Sequence, residues 1–248
     1  MIPGVRWVGV VTAMLAVASV CPAAESPNDA AKPADSGYRP GSGGIGGQLG
    51  GSDFVAGGDF SAGAQPRLSF AAHWRYAFTS WLRGQVGTGL GWAGYNESEP
   101  GPMTDPRFPQ DTRKGNYISL LVPVSVQLQC TMKRQQWLYY VGAGPGVYRV
   151  WVENRREVVK DPVTLRRHRG LYAGASGQLG VERFLKVLPS TSIEVSAGGD
   201  LALTRRDEQF PSGFDSKLLA LYVRVGGNYY FRPGEVKKKQ ESAPLPRP

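Results

Sequence analysis

Along most of the chain, apolar residues return at every second position. From Tyr117 to Cys130, Ile118, Leu120, Val122, Val124, Val126, Leu128 and Cys130 share one face, and Ser119, Pro123, Ser125, Gln127 and Gln129 share the other. A period of two is the mark of a β-strand, whose side chains point alternately to opposite faces. Leu121 is the one apolar residue on the polar face of this segment. Lys217–Phe231 repeats the pattern, with Leu219, Leu221, Val223, Val225, Tyr229 and Phe231 set against Ala220, Tyr222, Arg224, Asn228 and Tyr230. Arg67–Phe78, Gly170–Phe184 and Ser192–Thr204 divide in the same way, and Leu82–Tyr95 sets Leu82, Val86, Leu90 and Trp92 opposite Arg83, Gln85 and several glycines. Gly43–Phe54 and Trp137–Val152 complete a set of eight candidate strands, but glycine interrupts both and leaves their phase open.

A soluble sandwich also alternates, so the fold turns on which face lies inside. Here the polar face carries His73, Arg75, Arg83, Glu182, Glu194, Asp200 and Arg224. Unpaired charges do not enter a soluble core, whereas in an inside-out barrel these seven residues can meet in the lumen while the apolar face meets lipid. The Tyr117–Cys130 run exceeds the ~9 to 11 residues that a tilted strand needs to cross a bilayer. Connections alternate in length. Thr79–Ser80, Thr131–Gln136 and Lys186–Ser190 are short, and Val55–Gln65, Asn96–Gly115, Glu153–Arg169 and Arg205–Ser216 are longer, the asymmetry of outer-membrane barrels. Trp74, Tyr76, Phe78, Trp81, Trp92, Trp137, Tyr139, Trp151 and Tyr229 gather near strand ends, as interfacial belts require. The expected fold is all-β, an eight-stranded antiparallel up-and-down transmembrane β-barrel over residues 43–231. An exported soluble barrel or sandwich is the alternative.

The ends of the chain fit export. Arg6, the apolar run Trp7–Val20 and the small residues after it have the order of a secretory signal, here residues 1–24. Lipid attachment at Cys21 is a rival processing route, although Val20 stands where a lipoprotein signal carries Gly, Ala or Ser. Residues 25–42 read as a flexible periplasmic lead-in, and residues 232–248 as a basic, proline-containing periplasmic tail. Two cysteines, one of them in the leader, provide no disulfide framework. The 33 glycines follow no collagen period, and the net charge of +9 is spread over loops, turns and tail without a basic helix or reader motif. Nucleic acid is therefore not an expected partner.

The segments GIGGQLGGSDF at the first strand, YVGAGPGVYR at Tyr140–Arg149 and VRVGGNYYF ending at Phe231 together resemble the small outer-membrane β-barrel family that includes the OmpX-like and OmpA-like barrel domains. The resemblance covers roughly Gly41 to Phe231. It implies an integral protein of the outer membrane of a Gram-negative-type bacterium, with both termini periplasmic. It also implies that Tyr229 and Phe231 form the aromatic end that the outer-membrane assembly machinery recognises. Such barrels usually finish at that aromatic, whereas this chain continues to Pro248.

An eight-stranded barrel has room inside only for its own side chains, so function is expected in the outer loops, which tolerate change on a rigid scaffold. The loop Glu153–Arg169 is the most distinctive. Arg155, Arg156, Lys160, Arg166, Arg167 and Arg169 outnumber its acids Glu153, Glu157 and Asp161, and guanidinium groups suit the phosphates of lipopolysaccharide. A small barrel enzyme acting on lipid A is the other class. His73 belongs to the lumen face, however, and His168 has no serine at a suitable spacing, so nucleophile and base are not evident. No metal or phosphate-cradling motif occurs, and no cofactor is expected. The chain is read as non-enzymatic, structural or surface-binding through its loops.

Overall fold

The computed structural model describes residues 37–56, 64–95, 117–154, 157–158, 169–204 and 217–231. Eight long strands carry the fold: β1 (Gly43–Ala56), β2 (Arg67–Ala77), β3 (Leu82–Tyr95), β4 (Tyr117–Arg134), β5 (Trp137–Asn154), β6 (Arg169–Phe184), β7 (Thr191–Ala202) and β8 (Leu218–Phe231). Each pairs antiparallel with the next in sequence, and β8 pairs with β1 from Gly43 opposite Phe231 to Ala56 opposite Leu219. The ring is closed, which leaves no long edge strand exposed. The fold class expected from the sequence is the one observed.

The faces settle the environment. Val124, Val195 and Leu221 point outward and are 51%, 46% and 46% exposed, whereas Glu194 and Arg224 point inward at 0% and 6%. A soluble protein would invert this arrangement. A band of Ile, Leu, Val and aromatic side chains around a polar interior is stable only where hydrocarbon receives the outside, so the barrel spans a membrane by its strands.

Two pieces of chemistry close the short-turn end. Thr79 Oγ1 accepts from the backbone N–H of Leu82 at 2.9 Å and ties the turn between β2 and β3. Between β4 and β5 the connection is shorter than the sequence suggests. The strands run on to Arg134 and resume at Trp137, so the turn is Gln135–Gln136, with Gln135 at φ 54° in the left-handed region. Met132 and Arg134 extend the outward face of β4 beyond Cys130, where the clean alternation seemed to stop. At the long-loop end, Ala64–Gln65 pairs with Gly94–Tyr95, so the first long connection is partly extended sheet.

The phases that glycine concealed are now defined. On β1, Gln48, Ser52 and Phe54 face inward and Ile45, Leu49 and Val55 outward; on β5, Leu138, Tyr140, Tyr148 and Val150 face inward and Trp137, Tyr139, Val141 and Val147 outward. Glycine recurs on the inner faces of these strands because larger side chains from elsewhere occupy the space. A Cβ at Gly46 would collide with Asn228 Oδ1 and His73 Nε2.

The last six residues of the expected lead-in are tied to the barrel. Gly37–Ser42 lies across the short-turn mouth: Gly37 N donates to Pro189 O at 2.8 Å, and Gly41 N donates to Ala77 O at 2.7 Å. Gly41 sits at φ +83°, a conformation glycine adopts at little cost, and this lets the strap turn into β1. Residues 1–36 and 232–248, on which the expected leader and tail fall, lie outside the described residues.

Candidate functional site

The lumen has three layers. At the long-loop end an apolar cluster of Phe54, Ala93, Leu121, Tyr148, Val150, Ala202, Leu218 and Ala220 fills the barrel from wall to wall. This accounts for Leu121, which breaks the polar face of β4 because its partners are the inward apolar ends of neighbouring strands. At the short-turn end Tyr38, Ala77, Leu138, Phe184 and Tyr230 form a second apolar layer. Tyr38 comes from the strap. Its ring meets Tyr230 edge-on with centroids 5.6 Å apart, and its hydroxyl lies 2.9 Å from Thr131 Oγ1. Burial pushes the Tyr38 phenol up from its ordinary value, so it stays protonated at neutral pH.

Between the two layers lies a buried charge network. Arg75 donates through Nη2 to Glu194 Oε1 at 2.6 Å, through Nη1 to Glu194 Oε2 at 3.1 Å and Glu182 Oε1 at 3.0 Å, and through Nε to Gln85 at 2.7 Å. Arg83 donates to Glu182 Oε1 at 2.6 Å and to Gln129 at 2.7 Å. Glu182 also accepts from Tyr230 at 2.6 Å and Ser192 at 2.9 Å, and Tyr140 donates to Glu194. Burying such ions stabilises nothing unless geometry and further hydrogen bonds offset the desolvation, and here both carboxylates are saturated with donors. His73 Nε2 donates to Asn228 Oδ1 at 2.7 Å and lies 3.9 Å from Glu194 Oε2.

Of the seven charged residues singled out on the polar face, the structure gathers five: His73, Arg75, Arg83, Glu182 and Glu194. Asp200 and Arg224 stand apart from that cluster, nearer the long loops. Arg224 Nε donates to Ser69 Oγ at 3.2 Å and its guanidinium lies 3.7 Å from the Tyr222 ring centroid, while Tyr148 donates to Asp200 at 3.4 Å. Both line a polar cavity of about 30 Å³ together with Gln48, Gln127, Gln178 and Tyr222. Sequence pattern missed Asn228, Tyr140, Tyr230 and the four glutamines Gln85, Gln127, Gln129 and Gln178 as network members, although their inward parity on the alternating strands could have flagged them.

The remaining described candidates, Tyr229, Phe231 and Arg169, lie near strand ends. Tyr229 and Phe231 both point outward at the end of β8, with ring centroids 6.5 Å apart, inside an aromatic belt with Trp74, Tyr76 and Phe78. Arg169 opens β6, exposed, and pairs across strands with Trp151. The Arg149 guanidinium lies 5.5 Å from the Trp151 ring centroid, and Trp151 donates to Glu153 at 2.7 Å. Arg149 was not singled out from the sequence because it falls within a strand rather than in the loop run. Arg155, Arg156, Lys160, Arg166, Arg167 and His168 lie outside the described residues. Among the described residues, no group of three His, Cys, Asp or Glu is placed to hold a metal ion.

No protein-family model matches the chain, and none of the curated proteins does. Solved structures similar in shape include Ail, the attachment invasion locus protein of Yersinia pestis, in complex with the heparin analogue sucrose octasulfate: 13% identity, 77% of this chain and 99% of that one, TM-score 0.46. The outer membrane protein OprG of Pseudomonas aeruginosa is 11% identical over 79% of this chain and 98% of its own, with a TM-score of 0.46. Neisserial surface protein A is 10% identical over 77% and 97%, with a TM-score of 0.45. The fold assignment rests on the chain's own closed ring of strand pairings.

Proposed function

We propose that this chain is a non-enzymatic integral protein of the bacterial outer membrane, a rigid barrel that presents long loops at the cell surface and keeps both termini in the periplasm. The observation that carries this reading is the filled lumen. Two apolar layers flank an ion-paired centre, and the polar cavity beside that centre is small, about 30 Å³, so in this reading the barrel serves as a scaffold and not as a pore. Planar-bilayer recording of the refolded full chain tests it. No conductance steps are expected, and reproducible open-channel steps would refute the scaffold reading.

In this reading the basic long-loop rim contacts the phosphates of lipopolysaccharide. Arg169, the cross-strand partner of Trp151, and the Arg149 guanidinium over the same indole support it, since an indole with basic neighbours suits the boundary between hydrocarbon and charged headgroups. Loop residues Arg155, Arg156, Lys160, Arg166 and Arg167 continue the same charge in sequence. Neutralising Arg166, Arg167 and Arg169 together should weaken lipopolysaccharide co-purification several-fold, and unchanged association removes the idea. The outward Tyr229 and Phe231 pair is assigned to recognition by the assembly machinery.

A further inference from the structure

Basic side chains stand at both ends of the barrel's outside, but acidic ones are confined to one end. Among the described side chains, every acidic one lies either in the lumen, as Glu182, Glu194 and Asp200 do, or near the long loops, as Asp53 and Glu153 do. The short-turn end carries exposed Arg134, Arg183 and Lys186 with no described acid on the same rim. Three of its features form one row. Arg134 pairs across strands with Trp137, Trp137 pairs with Arg183, and the Arg183 guanidinium lies 5.3 Å from the Trp137 ring centroid. The turn that follows projects Lys186 together with an apolar tip, Val187 and Leu188, which are 90% and 57% exposed.

Cations alone would suit any solvated face. A bare valine and leucine beside a lysine, next to an indole that carries one guanidinium on its ring and has a second arginine as its cross-strand neighbour, describe a surface that meets hydrocarbon and phosphate at once. From the Arg134–Trp137–Arg183 row and the Lys186–Val187–Leu188 tip, we propose that the short-turn rim is a docking surface for anionic phospholipid headgroups of the leaflet around it. The phosphodiester accepts from the guanidinium groups, and the tip inserts among the upper acyl carbons. The proposal depends on membrane insertion but not on the lipopolysaccharide reading, which concerns the opposite rim.

The test is native mass spectrometry of the full chain released from vesicles of phosphatidylglycerol and phosphatidylethanolamine. Folding is verified separately by heat-modifiable migration on a detergent gel. The wild type should retain phosphatidylglycerol several-fold above its share of the vesicle, high salt should reduce that enrichment, and the Arg134→Gln, Arg183→Gln, Lys186→Gln triple variant should bring it to the vesicle ratio. Val187→Ser with Leu188→Ser should reduce retention of both lipids. Equal retention of the two lipids by the wild type, or enrichment that neither salt nor the triple variant lowers, overturns the proposal. So does a rim whose substitution abolishes co-sedimentation with peptidoglycan and leaves lipid retention intact. Should the triple variant fail to fold, the salt dependence of the wild type decides alone.

Discussion

Arg75 and Glu194 meet in a two-point ion pair at the centre of the barrel, Nη2 to Oε1 at 2.6 Å and Nη1 to Oε2 at 3.1 Å, with neither side chain reached by solvent. The same guanidinium also serves Glu182, so Arg75 holds two carboxylates that would otherwise be buried anions. Removing one partner of a buried pair costs about 3–5 kcal/mol because a charge is left unmatched. Arg75→Leu should lose that much in urea unfolding of the full chain in lipid vesicles, and Arg75→Leu with Glu194→Leu should lose less than the sum of the single variants. Strict additivity would mean that the pair is not coupled.

The glycines of β1 make a second case. Gly46 faces the network where Asn228 and His73 already fill the space a side chain would take. Gly46→Ala must displace one of them, and overpacking of this kind costs roughly 1–3 kcal/mol. The outward Gly47, whose nearest neighbour to an added Cβ is 3.9 Å away, should accept alanine with little change in the same unfolding assay.

Tyr38 joins the strap to the barrel, and its two contributions can be separated. Tyr38→Phe removes the hydroxyl contact with Thr131 and should cost about 0.5–1.5 kcal/mol. Tyr38→Ala also empties the space against Phe184 and Tyr230 and should cost about 3–5 kcal/mol. Limited proteolysis of the folded chain should then cut near Gly37–Ser42 faster in Tyr38→Ala than in Tyr38→Phe. Equal rates would show that the ring does not hold the strap.

On the outer face, Val124 sits between Thr88 and Val147 near the middle of β4. Val124→Arg should cost about 2–4 kcal/mol if that position faces the hydrocarbon midplane. A neutral result in the vesicle unfolding assay would place Val124 in water or at the interface.

Legibility in the sequence followed from how each strand is loaded. β4 and β8 declared themselves because Val and Leu alternate with Gln, Ser, Arg and Asn, so one face could be marked polar without coordinates. β1 and β5 did not, since glycine carries no polarity and their inner faces are glycine where the facing Asn228, His73 and Gln129 are large. The apolar layers at the two mouths were hidden for a different reason. Phe54, Leu138 and Leu218 are inward residues at strand ends, where a lipid-facing and a lumen-facing leucine look alike to a period-two rule. The Tyr38 strap was hidden within a Pro-, Ser- and Gly-rich segment that reads as a linker, and only its partners at the mouth reveal its place. The separation of Asp200 and Arg224 from the other charges depends on strand stagger, which pattern alone does not supply.

The most direct measurement is through-space magnetisation transfer in the isotopically labelled full chain, reconstituted in lipid nanodiscs and observed by NMR. The methyl groups of Val124, Val195 and Leu221 should show cross-peaks to lipid acyl-chain protons and none to water. Water cross-peaks at those three methyls, with no acyl-chain contact, would contradict the assignment of the apolar face to the membrane.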